Sequence, residues 1–211
     1  MQRDIRLEQP QDHRTVEELT REAFWNLYVP GADEHYLVHI LRQVESFIPE
    51  LDFVALQDGK IVGNIIYSKS YIETEDGTVF DTITFGPVSV LPAYHNQGIG
   101  RQLIEHSFEV AKALGHKVVV IFGYPGYYSR FGFKNGKDFG ITDAEGKYPL
   151  AMQVLELVPG ALEGIRGAFH EHEAFEFDQA AAEKYDKLFP PKEKAEAESQ
   201  ALFAKTSQTY L

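Results

Sequence analysis

The sequence contains no cysteine, which excludes both disulfide bonds and thiolate catalysis. No window approaches the roughly 20 apolar residues that a transmembrane helix needs, and residues 1–5 show no apolar signal core. Positive charge is scarce, because 20 Lys and Arg residues stand against 32 Asp and Glu residues and give a net charge of −12. These absences predict a cytoplasmic protein that binds neither a membrane nor nucleic acid.

The remaining composition is that of a globular protein, with 44% hydrophobic and 25% charged residues. The length of 211 residues suits one large domain, or one domain with an appendage. Charge is unevenly distributed, because residues 94–137 hold six Lys or Arg side chains and two Glu side chains. This basic segment favours an anionic ligand, whereas the acidic remainder would attract a cationic amine.

A glycine-rich loop at residues 94–101 separates a strand-like segment from a helix-like segment. Gly98 and Gly100 leave the backbone bare where the helix begins, so several N–H groups can bind one anion at the positive end of the helix dipole. A P-loop would need Lys where Arg101 stands, and a dinucleotide fingerprint would need glycine where Leu103 stands. We expect the loop to bind the pyrophosphate of a coenzyme.

A βαβ unit surrounds this loop. The apolar pattern predicts a strand at 79–90, a helix at 98–114 and a continuous β-branched strand at 117–122. In the first strand the alternation changes phase across a Gly-Pro pair at 86–87, and because Pro cannot donate to a ladder, this predicts a β-bulge. The bulge should bend the strand and leave backbone groups of residues 88–90 without protein partners.

The rest of the chain predicts further elements around this unit. Helices are expected from Asp12 or Thr15 to about Asn26, from Asp33 to before Pro49, and at 126–131; strands are expected at 3–7, 52–57, 60–72 and 147–158. Residues 192–205 are rich in Lys, Glu and Ala, which predicts a solvated tail helix or a frayed end. The spacings of His35/His39 and His170/His172 permit a metal, but exposed positions without a metal are favoured.

In this order, these residues resemble the GNAT superfamily of acetyl-CoA-dependent N-acetyltransferases. The family's coenzyme motif is Gln/Arg-x-x-Gly-x-Gly/Ala after a strand that ends in hydrophobic-x-Val-x-Pro. Residues 88–92 and 95–100 are similar to it, with His95 departing from Gln or Arg. Residues 128–133 are similar to a second family block, and the Tyr-Tyr-x-Arg-Phe-Gly-Phe form resembles a bacterial subgroup of predicted acetyltransferases.

The resemblance implies the acyl-CoA N-acyltransferase fold. This is an α/β fold with a mixed, mostly antiparallel central sheet, one splayed parallel strand pair and helices on both faces. It implies an acetyltransferase domain at 1–160 and a partly helical C-terminal extension at 161–211. The implied activity moves an acetyl group from acetyl-CoA, the cosubstrate, to a primary amine of a small molecule or peptide by direct attack, without a metal. We leave a homodimer open as the assembly.

The resemblance also implies the site residues. The pantetheine arm would pair with the freed strand edge, and a backbone N–H near Val90 would stabilise the oxyanion. The implied coenzyme-binding set is Val88, Ser89, Val90, His95, Asn96, Gln97, Gly98, Ile99, Gly100 and Arg101. Tyr128 would protonate the departing sulfur or hydrogen-bond it, and it is favoured over Tyr127 because it matches the motif register.

The acceptor side is less defined. Candidates to line it are Trp25, Tyr28, Glu34 and His35, which ordinary helix packing would explain equally well, and the general base is open among Glu50, Asp52, Glu73 and Asp81. The alternative function is a non-catalytic acyl-CoA sensor, but the presence of Tyr128 favours the enzyme. A structural protein that uses the basic segment is disfavoured by the acidic total.

Overall fold

The computed structural model describes residues 3–211 and contains a nine-stranded sheet flanked by helices. The strands are β1 (Arg3–Leu7), β2 (Phe53–Gln57), β3 (Lys60–Thr74), β4 (Val79–Val90), β5 (Val118–Phe122), β6 (Lys134–Asn135), β7 (Ile141–Thr142), β8 (Met152–Glu156) and β9 (Gly167–His170). The helices are α1 (His13–Phe24), α2 (Glu34–Leu41), α3 (Ile99–Ala113), α4 (Pro125–Tyr128), α5 (Gln179–Asp186) and α6 (Glu198–Ser207).

The sheet is mixed and mostly antiparallel, which confirms the predicted fold class. Its main path runs β1-β2-β3-β4-β5-β8-β6, and β9 pairs with both β3 and β7. Among residues 3–211, parallel pairing occurs between β4 and β5 and in the short ladder of β7 with β9. The β4–α3–β5 crossover is the predicted βαβ unit, with nearly the expected bounds.

Helices cover both faces of the sheet. On one face, α3 packs against the main core cluster through Leu103 and Phe108. On the opposite face, α1 and α2 pack through Val16 and Leu41, which form a separate cluster with the sheet. Since α3 begins in the glycine-rich loop, the expected coenzyme loop and the α1–α2 connection belong to opposite faces.

Strand β4 carries the predicted bulge. The register between β3 and β4 shifts there, because residues 86–87 of β4 stand opposite the single residue Ile66 of β3. The parallel pairing of β4 with β5 joins Ile83 to Val119, which lie before the bulge. The two strands therefore separate beyond it, which confirms the expected splay and opens a gap beside the end of β4.

Three local expectations were wrong. The helix predicted from Asp33 to before Pro49 ends at Leu41, because residues 46–48 form backbone hydrogen bonds with β3 instead. The strand predicted at 147–158 is shorter, because residues 148–150 form backbone hydrogen bonds with the C-terminal residues 209–211 before β8 begins. His35 is fully buried rather than solvated, because its ring packs against Tyr185 at the end of α5. All three differences arise from contacts between segments that are distant in the sequence, which local patterns do not report.

The C-terminal extension is closely joined to the rest of the molecule. Strand β9 pairs with β3 inside the sheet, and α5 and α6 follow it. The division predicted at residue 160 stays a prediction, but part of the extension shares the central sheet. None of the helices within residues 3–211 is long and apolar enough to cross a membrane.

Candidate active site

The glycine-rich loop curls into a concave turn of backbone just before α3. Asn96 has a φ of 59° and Gly98 a φ of 80°, so both adopt the left-handed conformation. The first helical hydrogen bond runs from the Gln102 N–H to the Gly98 carbonyl at 3.0 Å, so the amides of residues 98–101 lack helical acceptors. A Cβ on Gly98 would meet no atom within 4 Å. An open turn of unpaired amides at a helix N-terminus suits an anion.

Side chains at both ends of the loop hold it in place. Arg3 of β1 donates through Nη1 to the Gln97 carbonyl at 2.7 Å, a contact that sequence patterns did not indicate. Ile99 is buried in the core and anchors the start of α3. Arg101 is exposed and donates through Nε to Glu105 at 2.7 Å, so its guanidinium is directed toward the second turn of the helix and not into the loop.

The edge of β4 beyond the bulge faces the gap. The Leu91 N–H donates to the Val62 carbonyl of β3 at 2.9 Å. Backbone groups alternate between the two sides of an antiparallel strand. Ser89 therefore also faces β3, and the backbone groups of Val88 and Val90 face the gap toward β5.

Two predicted coenzyme residues have more specific surroundings than expected. Ser89 is buried and its Oγ donates to Thr20 Oγ1 at 3.1 Å, so neither its side chain nor its backbone reaches the gap. His95 Nε2 donates to the Val90 carbonyl at 2.9 Å. His95, which stands where the family has Gln or Arg, thus provides a hydrogen-bond donor for the Val90 carbonyl, while the Val90 N–H still faces the gap.

Tyr128 lies where the strands splay. Its ring centroid is 5.9 Å from that of Phe85, which precedes the bulge. A Cβ on Gly123 would overlap the ring, so glycine there allows the ring to pack over the chain that leaves β5. Burial raises the pKa of the Tyr128 hydroxyl, and the charges of Tyr28 and Tyr127 add to the rise. The hydroxyl is therefore protonated at neutral pH.

Tyr127 faces a different part of the site. A Cβ on Gly100 would lie 3.4 Å from the Tyr127 hydroxyl, so this hydroxyl lies beside the N-terminus of α3. The Arg130 guanidinium lies 4.5 Å from the centroid of the Tyr127 ring. These surroundings distinguish the two rings and support Tyr128 as the ring at the splay, although its role as the acid stays a prediction.

Two of the acceptor-side candidates are linked electrostatically to Tyr128. Burial, and then the charge of Glu34, raise the pKa of Tyr28, and Tyr28 in turn contributes to the raised pKa of Tyr128. Burial raises the pKa of Glu34 to about 7, although backbone N–H groups bind its carboxylate. One of them is the Asp33 N–H, 3.1 Å from Oε2. Glu34 can therefore accept and release a proton near neutral pH.

The other two acceptor-side candidates contact the C-terminal part of the chain. Trp25 Nε1 donates to the Glu193 carbonyl at 2.9 Å. His35 Nε2 lies 3.2 Å from Asp186 Oδ1, and burial lowers the pKa of His35 to about 4. Because His35 is neutral and fully buried, it can influence a substrate only through neighbouring residues.

Three of the base candidates lie away from the splay. Asp81 precedes Val88 by a stretch of β4 that is roughly 20 Å long. Glu73 lies further along the same hairpin. Glu50 and Asp81 both act on the pKa of His116, which precedes β5. These carboxylates therefore lie toward the end of the β4–β5 pair that is opposite to Tyr128.

The fourth base candidate, Asp52, belongs to a buried network. Its Oδ1 accepts a hydrogen bond from Asn64 Nδ2 at 2.9 Å, and it lies beside Glu8. Burial, and then Asp52, raise the pKa of Glu8 to about 9, while Arg42 Nη2 donates to Glu8 Oε1 at 2.7 Å. Within residues 3–211, no group of three or more His, Asp or Glu side chains could hold a metal ion.

Sequence comparisons relate this chain to known acetyltransferases. Residues 50–135 match the sequence model of an acetyltransferase (GNAT) domain. The uncharacterized N-acetyltransferase YhbS of Escherichia coli strain K12 is 31% identical over 172 residues, which cover 81% of this chain and 97% of the relative.

Solved structures of relatives contain the expected coenzyme. The crystal structure of YhbS from Escherichia coli in complex with CoA has a TM-score of 0.74 and 29% identity, covering 84% of this chain and 93% of that chain. A GNAT acetyltransferase from Brucella melitensis in complex with acetyl-CoA has a TM-score of 0.65 and 31% identity, covering 82% and 98%. The identity to YhbS over most of both chains shows that this chain belongs to the GNAT family of acetyl-CoA-dependent N-acetyltransferases.

Proposed function

We propose that this chain transfers the acetyl group of acetyl-CoA to a primary amine of a small molecule or peptide by direct attack on the thioester. The observation that carries the proposal is a free strand edge beside a protonated acid. The N–H groups of Val88 and Val90 face the gap between β4 and β5, and the Tyr128 ring packs against Phe85 at the point where that gap opens.

The coenzyme would lie along this edge. The amides of residues 98–101 would bind the pyrophosphate, and the pantetheine arm would pair with the backbone of Val88 and Val90, with Ser89 as the spacer between them. Buried backbone groups without partners cost about 1–3 kcal/mol each, so an arm with amide groups is a favourable ligand for this edge. Two relatives with this fold were solved in complex with CoA or acetyl-CoA, which supports a coenzyme of this class as the ligand.

The chemistry needs one acid and one base. The amine nitrogen attacks the thioester carbonyl carbon and forms a C–N bond, and a backbone N–H near Val90 would stabilise the resulting oxyanion. Collapse of this intermediate breaks the C–S bond, and Tyr128 gives its proton to the departing thiolate. We assign Glu34 as the base that takes the amine proton, because it lies beside Tyr28 and its pKa of about 7 makes it partly ionised at neutral pH.

The test measures release of the free CoA thiol and formation of acetylated amine, with acetyl-CoA and a panel of primary amines. Tyr128→Phe should keep the rise in melting temperature that acetyl-CoA causes and lose about 10²–10⁴-fold in turnover. Tyr124→Phe is the matched control, because Tyr124 is 57% exposed and should keep full turnover. Acetyl-CoA binding without amine-dependent thiol release would refute the enzyme and favour the sensor. A larger loss in Tyr127→Phe would transfer the acid role to Tyr127.

A further inference from the structure

The C-terminal segment, defined as residues 192–211, is anchored at its beginning to the α1–α2 connection. Trp25 Nε1 donates to the Glu193 carbonyl at 2.9 Å, and Ser199 Oγ donates to the Leu27 carbonyl at 2.8 Å. One bond is accepted by a main-chain carbonyl of the segment and the other by a main-chain carbonyl of the α1–α2 connection. Together they fix the position of the segment's backbone relative to that connection.

The end of the C-terminal segment has a second anchor in the chain just before β8. The Leu150 N–H donates to the Thr209 carbonyl at 2.8 Å, and the Leu211 N–H donates to the Tyr148 carbonyl at 2.9 Å. Between the anchors lies α6, whose ten residues span about 15 Å. The segment therefore crosses from the α1–α2 connection to the residues just before β8.

Between its two anchors the segment contacts Tyr28, which lies near the proposed acid Tyr128. The Phe203 ring of α6 stacks on Tyr28, with centroids 4.3 Å apart and planes inclined by 21°. Tyr28 is also close enough to Tyr128 to raise the pKa of its hydroxyl. The stack lies at the end of α1, on the face opposite α3. Because the coenzyme would occupy the α3 side, the amine has to approach from the face that the segment covers.

The space beside the second anchor is small and acidic. A cavity of about 350 Å³ is lined by Tyr210 of the segment, by Phe122 at the end of β5, and by acidic side chains that include Glu145 and Glu171. A volume of this size suits a small ligand. The negative side chains suit a cationic amine rather than an anion.

We propose that the C-terminal segment covers the acceptor side and, through Phe203 on Tyr28, limits the acceptor to small primary amines rather than lysine side chains of peptides or proteins. The inference rests on the proposed function and narrows its acceptor class. A small amine would have no peptide backbone to accommodate beside the segment, whereas a lysine side chain brings one that would have to displace α6.

The experiment compares kcat/KM for two kinds of acceptor in the full chain. The small amines are 1,4-diaminobutane and phenethylamine, and the large acceptor is a lysine-containing peptide with a blocked N-terminus. Phe203→Ala removes the stack and should lower the small-to-peptide ratio of kcat/KM by about 3- to 10-fold. Leu202→Ala is the matched control on the same helix, since Leu202 is 56% exposed, and it should keep the wild-type ratio, as should Phe203→Tyr.

Seating of the segment has its own readout. Trp25 is the only tryptophan in the chain, and its indole N–H binds the C-terminal segment. Quenching of Trp25 fluorescence by an added soluble quencher therefore reports displacement of the segment. Ser199→Ala weakens the first anchor and should shift the small-to-peptide ratio of kcat/KM in the same direction as Phe203→Ala. The same variant should show stronger quenching of Trp25 fluorescence than the wild type.

The outcomes separate the inference from the proposed function. A wild type that acetylates the peptide as fast as the small amines overturns the inference while the enzyme stands. An unchanged ratio in Phe203→Ala overturns it as well. If no amine releases thiol although acetyl-CoA raises the melting temperature, the proposed function is refuted, and the acceptor limit is refuted with it.

Discussion

Replacing Glu34 by Gln should make the protein more stable and less active, and the gain in stability should depend on pH. The Glu34 carboxylate is largely buried, and burial raises its pKa from the ordinary value of 4.5 to about 7. Gln keeps the shape of the side chain and can accept the hydrogen bond that Oε2 receives from the Asp33 N–H. The substitution therefore removes the titration and little else.

The sign and size of the change in unfolding free energy follow from the linkage between protonation and folding. Because the folded pKa of Glu34 is raised, its contribution to stability is complete below about pH 4.5 and is lost as pH rises through 7. A shift of this size corresponds to at most about 3 kcal/mol. Glu34→Gln, neutral at every pH, should match the wild type near pH 4.5 and exceed it by up to about 3 kcal/mol at pH 8.

Urea unfolding at several pH values measures the stability term, and amine-dependent thiol release measures the activity. The turnover of Glu34→Gln should fall by about 10²–10⁴-fold if Glu34 is the base. The ratio of wild-type to variant turnover should rise with pH up to about 7 and then level off, and this ratio cancels the titration of the amine itself. Glu50→Gln is the control, because Glu50 is exposed and lies away from the splay.

A stability difference that is the same at pH 4.5 and pH 8 would show that Glu34 is not forced to ionise in a buried site. Full turnover in Glu34→Gln would remove it as the base even if the stability prediction is confirmed. The two readouts therefore test the environment of the carboxylate and its chemical role separately.

Two further predictions concern the coenzyme. Gly100→Glu places a carboxylate among the amides of residues 98–101 and should abolish the rise in melting temperature that acetyl-CoA causes. The control, Ala113→Glu, adds the same charge about 20 Å away at the other end of α3 and should keep the rise. An equal rise in both variants would refute the pyrophosphate site. Hydrogen exchange at the Val88 and Val90 amides should slow when acetyl-CoA binds, while the Leu91 amide, already bonded to β3, should not change; unchanged exchange at all three would exclude pairing with the pantetheine arm.

The local structure on the proposed coenzyme side was predictable because its determinants are local. The phase change across residues 86–87 specifies the bulge, and two closely spaced glycines at the start of a helix specify the open turn before α3, whatever the rest of the chain does. Only short stretches of sequence are needed for both features. The sequence pattern therefore located β4, α3 and their connection nearly to the residue.

The acceptor half was decided by tertiary structure. Strand patterns place Glu73 and Asp81 on a hairpin but do not say which end of it meets Tyr128, because that depends on pairing with β5. Glu34 becomes a candidate base only because folding buries its carboxylate, a desolvation effect that no local pattern encodes. The stack of Phe203 on Tyr28 joins residues at opposite ends of the chain. Contacts of that range form only when the whole sheet has brought both segments to one face, so the fold, rather than any short motif, determines the acceptor side.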